Sequence, residues 1–270
     1  MISNFPKNIV TPPVLAETKD FLVKIAENHE EVEKAQRLRY EVFNIEQGRG
    51  LKMSEKYGID FDEFDQYCMH LLVIEKSSDK AIGTYRAHLG CIANSAKGFY
   101  SSKEYEIHGL YKIADKCLEL GRTCVSSDHR SGAIIALLWG GIVELLARSD
   151  LTYLLGCVSL EGTNSKTGWA IHEYISRTYP SFTEFSVLPR PGFRLEKPPK
   201  DEIEKLLKDE AALIKMIPPL LKGYLRLGAH VCGEPALDKE FGTIDFFILL
   251  DMDKVPDRYK RHFNYRKKKV

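Results

Sequence analysis

The stretch Cys117-Leu118-Glu119-Leu120-Gly121-Arg122-Thr123-Cys124-Val125 reads as a central β-strand: apolar residues dominate it, and a polar break, Ser126-Ser127-Asp128-His129-Arg130, follows. Glu119 and Arg122 lie three positions apart. Side chains alternate across a strand, so a regular strand would send them to opposite faces. One inserted residue brings them together. Gly121 lies between them, and glycine most easily takes the conformation of a β-bulge, a device that often re-aims side chains beside active sites. The strand is therefore expected to be bulged, with a carboxylate and a guanidinium sharing one face.

Downstream, a long helix is expected over Ser131–Arg148, with Ile135, Leu138, Ile142, Leu145 and Leu146 on its inner face. The join from Val125 to Ile135 resembles an anion-binding turn, because free N–H groups at a helix N-terminus attract phosphate; an ordinary strand-to-helix turn is the plainer alternative. An apolar strand Leu151–Val158, a helix Ser165–Thr178 and a strand Phe182–Leu188 continue the alternation. Pro189, Pro191, Pro198 and Pro199 punctuate a connector to a helix Asp201–Met216, a short helical piece Leu220–Leu227 and a last strand Thr243–Leu250.

Upstream, two β-rich runs, Met69–Lys76 and Ala81–Gly90, joined by Ser77-Ser78-Asp79, form a hairpin signature, and Arg86 lies in the second. Gln47 to Gln66 contains three glycines and the acids Asp60, Asp62, Glu63 and Asp65, so it reads as a loop able to order over a ligand, or as solvated charge. From Asn28 the pattern is helical, with Val32, Ala35, Val42 and Phe43 on one face and Arg39 in its middle. A charge there must either snorkel to water or meet a buried anion. The resulting organisation is an extended leader (1–22), one α/β (α+β) domain (23–263, with 196–263 as a C-terminal elaboration) and a basic tail (264–270).

Over 270 residues, 44% are hydrophobic and 29% charged, which excludes disorder as the main state. The net charge of +1 gives no reason to expect nucleic acid. Gly132 to Ala147 is the longest apolar stretch, too short to span a bilayer, and the N-terminus lacks the order of a signal peptide, so a cytoplasmic location is expected. The six cysteines form no CxxC pair and sit mostly in apolar runs, which favours buried thiols over zinc or disulfides. GxSxG, GxxxxGK[ST], HExxH and EF-hand patterns are absent, and no histidine has an aspartate five positions on, which disfavours glycerolipid acyltransferases.

Four strings in order, Leu38-Arg39-Tyr40-Glu41-Val42-Phe43, Asp60-Phe61-Asp62-Glu63-Phe64-Asp65, Gly83-Thr84-Tyr85-Arg86 and Leu118-Glu119-Leu120-Gly121-Arg122, resemble the acyl-homoserine-lactone synthases, a branch of the GNAT N-acyltransferases. A closer resemblance is to the ornithine-lipid N-acyltransferases, often mislabelled haemolysins. They share Cys68-Met69-His70-Leu71-Leu72-Val73, Gly98-Phe99-Tyr100-Ser101, Leu138-Trp139, the run Pro218 to Ala229 and the run Asp238 to Asp245. The resemblance covers about Val23 to Phe263. It implies a GNAT acyl-CoA N-acyltransferase-like fold, a mixed, mostly antiparallel sheet flanked by helices with a bulged central strand.

It also implies that Arg39, Phe43, Asp62, Asp65 and Arg86 shape the substrate site, with Glu119, Gly121 and Arg122 at the catalytic centre. The usual GNAT phosphate motif is one residue short at Arg130-Ser131-Gly132-Ala133. Arg130, Ser131 and Gly132 remain the candidates for phosphopantetheine, and the departure suits acyl carrier protein as donor better than free acyl-CoA. No tightly bound cofactor or metal is expected.

The expected reaction passes an acyl chain, of 3-hydroxy fatty type, from acyl carrier protein to the α-amine of an amino acid such as ornithine or glycine, the first step of aminolipid synthesis. Glu119 is the expected base, directly or through water, a backbone N–H freed near Gly121 the oxyanion donor, and Arg39, Arg86 and Arg122 the candidates for the amino acid's carboxylate. The alternative for these charges is a purely structural ion-pair network. The tail Lys260-Arg261-His262 and Arg266-Lys267-Lys268-Lys269 suits an acidic carrier protein, an anionic membrane face or plain solvation. Two other functions stay open: a lactone-type autoinducer synthase using S-adenosylmethionine, and a membrane-acting haemolysin.

Overall fold

The computed structural model describes residues 5–180, 182 and 184–262. Residues 1–4 of the expected leader and the tail 264–270 lie outside the described residues. The strands are β1 (Val14–Glu17), β2 (Phe21–Ile25), β3 (Met69–Glu75), β4 (Lys80–Leu89), β5 (Tyr105–His108), β6 (Cys117–Val125), β7 (Tyr153–Glu161), β8 (Ser186–Pro189), β9 (His230–Val231), β10 (Ala236–Asp238) and β11 (Thr243–Asp251). The helices are α1 (Lys7–Val10), α2 (His29–Tyr40), α3 (Lys52–Tyr57), α4 (Gly90–Ser95), α5 (Ala133–Ala147), α6 (Ser165–Thr178), α7 (Lys200–Leu207), α8 (Glu210–Met216), α9 (Pro219–Leu227) and α10 (Asp257–His262). A π-helical turn, Glu41–Glu46, prolongs α2.

A nine-stranded sheet runs β1-β2-β3-β4-β6-β7-β11-β10, with β9 on β11, and every pairing except β6–β7 is antiparallel. This is the mixed, mostly antiparallel sheet flanked by helices that the sequence implied. β3 shows how the layers assemble: Leu71 and Val73 join the core cluster of Leu138 and Ile142 from α5, while Leu72 and Ile74 pack with Val32 and Ala35 from α2. A strand covered on both faces has no polar face to show, which is why it reads as an unbroken apolar run.

Several boundaries differ from expectation. Residues 5–22 of the leader are no free arm: Ile9 and Val10 are buried, and β1 pairs with β2 at the sheet edge, with Leu15 and Ala16 packed against the core. The helix expected over Asp201–Met216 is two, α7 and α8, the second capped by Asp209, whose side chain accepts from Ala212 N. The long helix begins at Ala133, with Gly132 as its N-cap. Among the described residues of 182–188 only Ser186 onward is strand, and β8 pairs with β5 in a separate ribbon.

β6 and β7 pair in parallel only at Cys117–Tyr153, Leu118–Leu154 and Glu119–Leu155, then part although both strands continue. At the parting point Gly156 has φ 153°, and a Cβ there would strike the Leu120 carbonyl. The divergence opens the middle of the sheet.

Candidate active site

Cross-strand partners Arg86–Gly121 and His88–Glu119 place Arg86, His88 and Glu119 on one face of β4 and β6. Thr84 opposes Cys124 while Arg86 opposes Gly121, so Arg122 and Thr123 together face Tyr85 alone. This is a bulge, and it turns Arg122 onto the face of Arg86, where both guanidinium groups reach Asp62. The left-handed residue is Arg122 itself, φ 51°, and not Gly121. A side chain in that region strains the backbone by roughly 1–3 kcal/mol, which the surrounding contacts must hold in place.

Arg39 is sealed in the interior, its Nε 2.8 Å from Asp60 Oδ1 and its Nη2 2.7 Å from Asp65 Oδ2. Of the two fates open to this arginine, the chain uses the buried anion. Arg86 Nη1 stands 2.6 Å from Asp62 Oδ1 and 2.9 Å from Asp65 Oδ1. Arg122 is tied more loosely, at 3.3 Å to Asp62 and 3.6 Å to Asp60. Burial alone would raise the Asp62 and Asp65 carboxyls, but Arg86 with Arg122, and Arg39 with Arg86, hold them below the usual carboxylate range. His70, with Nε2 3.1 Å from the Asp65 carbonyl, is pushed down to about 4 by burial and by Arg39, so it stays neutral. The 60–65 segment is thus pinned by three arginines.

A cavity of about 250 Å³ occupies the gap between β6 and β7. Its apolar end is lined by Leu120, Val158, Leu220, Tyr224 and Ile248, all in or beside the main core cluster. Phe43, Arg86, Glu119, Gly121 and Arg122 also line it. Arg39, Asp62 and Asp65 do not line it; their carboxylates and guanidinium pair with one another, with Asp60 and with Arg86 and Arg122. Arg130, Ser131 and Gly132 also lie outside the lining, and Arg130 is paired with Glu46 and donates to the Val125 carbonyl at 3.1 Å.

Glu119 is engaged by the Gly98-Phe99-Tyr100-Ser101 loop: Tyr100 N donates to Oε2 at 2.6 Å, and Ser101 N and Oγ donate to Oε1 at 2.7 and 2.6 Å. Three of about four lone-pair positions on the carboxylate are therefore occupied. His88 Nδ1 lies 3.7 Å from Oε2, and neither of its ring nitrogens has a hydrogen-bond partner. The ring of Tyr100 sits beneath both arginines, 5.1 Å from Arg86 and 5.6 Å from Arg122.

Sequence reasoning missed one wall of the cavity. Glu104, Asp238 and Asp245 line it and are 2%, 6% and 4% exposed, with ligand oxygens within 4.8 Å of one another, close enough to share a cation. Burial, then Asp245 and Asp238, push the Glu104 carboxyl well up, and burial and Asp238 also raise Asp245. Asp245 carries a readable signal, an acid inside the apolar strand Ile244 to Leu250; Glu104 stands in a polar stretch and carries none. The thiols behave as expected for most cysteines. Cys68, Cys117, Cys124 and Cys232 are buried, and burial pushes Cys117 and Cys232 up to about 12; Cys91 is exposed. Among the described residues no helix is long and apolar enough to cross a membrane.

Residues 38–140 match the family model described as an acetyltransferase (GNAT) domain. The chain is 32% identical over 252 residues to an L-ornithine N(alpha)-acyltransferase of Brucella abortus (strain 2308), covering 89% of this chain and 88% of that protein. It is 28% identical over 257 residues to one of Rhodobacter capsulatus, covering 90% and 95%. Among solved structures, FeeM, an N-acyl amino acid synthase from uncultured soil microbes, superposes with a TM-score of 0.49 at 11% identity, covering 88% of this chain and 95% of that one. The acyl-homoserine-lactone synthase LasI does so with 0.46 at 13%, covering 86% and 90%. Identity of this extent along nearly the whole of both chains, with the GNAT domain spanning α2 to α5, makes the chain a member of the family of L-ornithine N(alpha)-acyltransferases, and an N-acyltransferase.

Proposed function

We propose that this N-acyltransferase moves a 3-hydroxy fatty acyl chain from acyl carrier protein to the α-amine of an amino acid, making the first intermediate of an aminolipid. The observation that carries the reading is the two-ended cavity at the β6–β7 divergence, apolar toward Leu120, Val158 and Ile248 and charged toward Arg86, Glu119 and Arg122. An acyl chain suits the first end and a zwitterion the second. The activity these relatives are named for, L-ornithine N(alpha)-acyltransferase, supports an amino-acid acceptor.

In the reaction the neutral α-amine attacks the thioester carbonyl. A C–N bond forms, the C–S bond breaks with its electrons going to sulfur, and the amine proton ends on the departing thiol. Glu119 accepts that proton through its remaining lone pair or through His88, which lines the same cavity. Arg122, the least tightly held of the three arginines, takes the acceptor's carboxylate. A backbone N–H left unpaired by the bulge stabilises the oxyanion. The donor's phosphopantetheine is assigned to the turn Arg130-Ser131-Gly132 ahead of α5.

The test is purified protein with a 3-hydroxyacyl carrier protein, or the matching acyl-CoA, and ornithine or glycine, read by mass spectrometry of the N-acyl amino acid. Product with the carrier-bound donor is expected; its absence with both donors and both acceptors sinks the reading. Glu119→Gln should lower turnover by about 100-fold or more, and full turnover in a folded variant removes Glu119 as base.

A further inference from the structure

Three carboxylates face one another in the cavity wall with nothing positive between them. No lysine, arginine or histidine among the described residues forms an ion pair with Glu104, Asp238 or Asp245. Part of their hydrogen-bonding capacity is met from the chain: Asp238 Oδ1 accepts from Glu240 N at 2.8 Å and Phe241 N at 3.0 Å, and Asp245 Oδ1 accepts from Thr243 Oγ1 at 3.1 Å. Glu104 Oε2 is buried and receives no hydrogen bond from an N–H or hydroxyl donor, and the Glu104 and Asp245 carboxyls lie close enough to share a proton. Buried carboxylates so placed must either take up protons or receive a cation from outside. The cavity is the route by which one arrives, since all three residues line it.

The same cavity presents Arg122, whose guanidinium lies 4.4 Å over the ring of Phe241, and the backbone N–H of Phe241 holds Asp238. A cation-binding wall and an anion-binding arginine are therefore neighbours across a single side chain. We infer that Glu104, Asp238 and Asp245 form an ammonium site that takes the side-chain amine of the acceptor, and that these three acids are the residues through which a preference for a second, basic amine is exerted. This rests on the reading that the acceptor is an amino acid.

A primary ammonium has three N–H donors, matching one acceptor from each of the three acids. Held there it keeps its proton and has no lone pair to attack with. The α-amine is left as the nucleophile. The site thus chooses between two amines of similar intrinsic reactivity as well as between acceptors.

The experiment compares L-ornithine with L-norvaline, which has the same carbon chain without the side-chain amine, in wild type, Glu104→Gln and Asp245→Asn. Calorimetric binding of each amino acid, and of Mg²⁺ and Mn²⁺ alone, is measured in parallel without donor. Wild type should prefer ornithine in kcat/KM by about 100-fold or more. The variants should lose most of that preference, kcat/KM falling more for ornithine than for norvaline. Ornithine should bind without donor, weakly or not at all to the variants. Equal use of ornithine and norvaline by wild type overturns the proposal, as does an equal loss for both acceptors in variants whose thermal melts show them folded. So does Mn²⁺ binding that requires Glu104 and leaves ornithine binding untouched, which would mark a metal site. If no amino acid is acylated yet ornithine binds and Glu104→Gln abolishes that binding, the ammonium site stands and the proposed reaction falls.

Discussion

Asp60, Asp62 and Asp65 form one trio of acids in the interior, and Glu104, Asp238 and Asp245 form another, yet their chemistry is opposite. The first trio is interleaved with Arg39, Arg86 and Arg122, so its charges cancel and Asp62 and Asp65 are held below the usual carboxylate range. The second has no basic partner among the described residues, and Glu104 and Asp245 are pushed upward by burial. Burial is common to both. What differs is whether the chain supplies the counter-charge, and a trio that lacks one on the wall of a cavity is the trio with capacity left for a ligand.

The comparison breaks most sharply if a balancing arginine is removed. Arg39→Ala leaves Asp60 and Asp65 buried without their closest partner and should cost about 3–5 kcal/mol in denaturant unfolding. A loss below about 1 kcal/mol would mean that the first trio is not held by charge balance. Arg122→Ala separates structure from chemistry within that trio. Its contacts are the longest, so stability should fall less than in Arg39→Ala, while kcat/KM for the amino acid should drop about 100-fold, about 2.7 kcal/mol.

The second trio should respond with the opposite sign. Glu104→Gln removes a buried carboxyl that must either keep a proton or carry an uncompensated charge, and is expected to raise stability by about 1 kcal/mol at neutral pH. Because the folded carboxyl is raised, folding must take up a proton above the unfolded value near roughly 4, which costs stability as pH rises, and the advantage of Gln should vanish as pH falls below that value. For Asp65 the folded carboxyl is lowered, so its stabilisation is complete above that same unfolded value and is lost as pH falls toward the folded one. Thermal melts from pH 7 to pH 3 distinguish the two, and parallel curves would abolish the contrast. Smallest of all, Glu63→Ala cuts an exposed carboxylate from Lys97 and Lys103 and should leave the melting midpoint unchanged, showing that acids of the 60–65 segment matter through burial.

How far these features could be read in advance follows from where polarity interrupts apolar pattern. Arg39 within a helical apolar face and Glu119 and Arg122 within an apolar strand are visible exceptions, and each proved to be held by specific buried partners. The bulge was legible to within one residue: an inserted position was required, but the local choice of Gly121 lost to the tertiary contacts that force Arg122 into the left-handed region. The edge strand β1, hidden behind two prolines, and the short β5, β9 and β10 offer too few alternating positions to declare themselves. Glu104 was illegible because its significance lies in residues more than 130 positions away, Asp238 and Asp245, which only the sheet order brings to it.

The backbone of Arg122 has a consequence for how this enzyme would change under selection. Glycine is the residue that most cheaply occupies φ 51°, so a library at this position screened for thermal tolerance alone should drift toward glycine or asparagine. Screened for turnover, the same library should retain arginine. If arginine is retained for turnover and lost for thermal tolerance, position 122 sets survival of the fold against productivity of the catalyst.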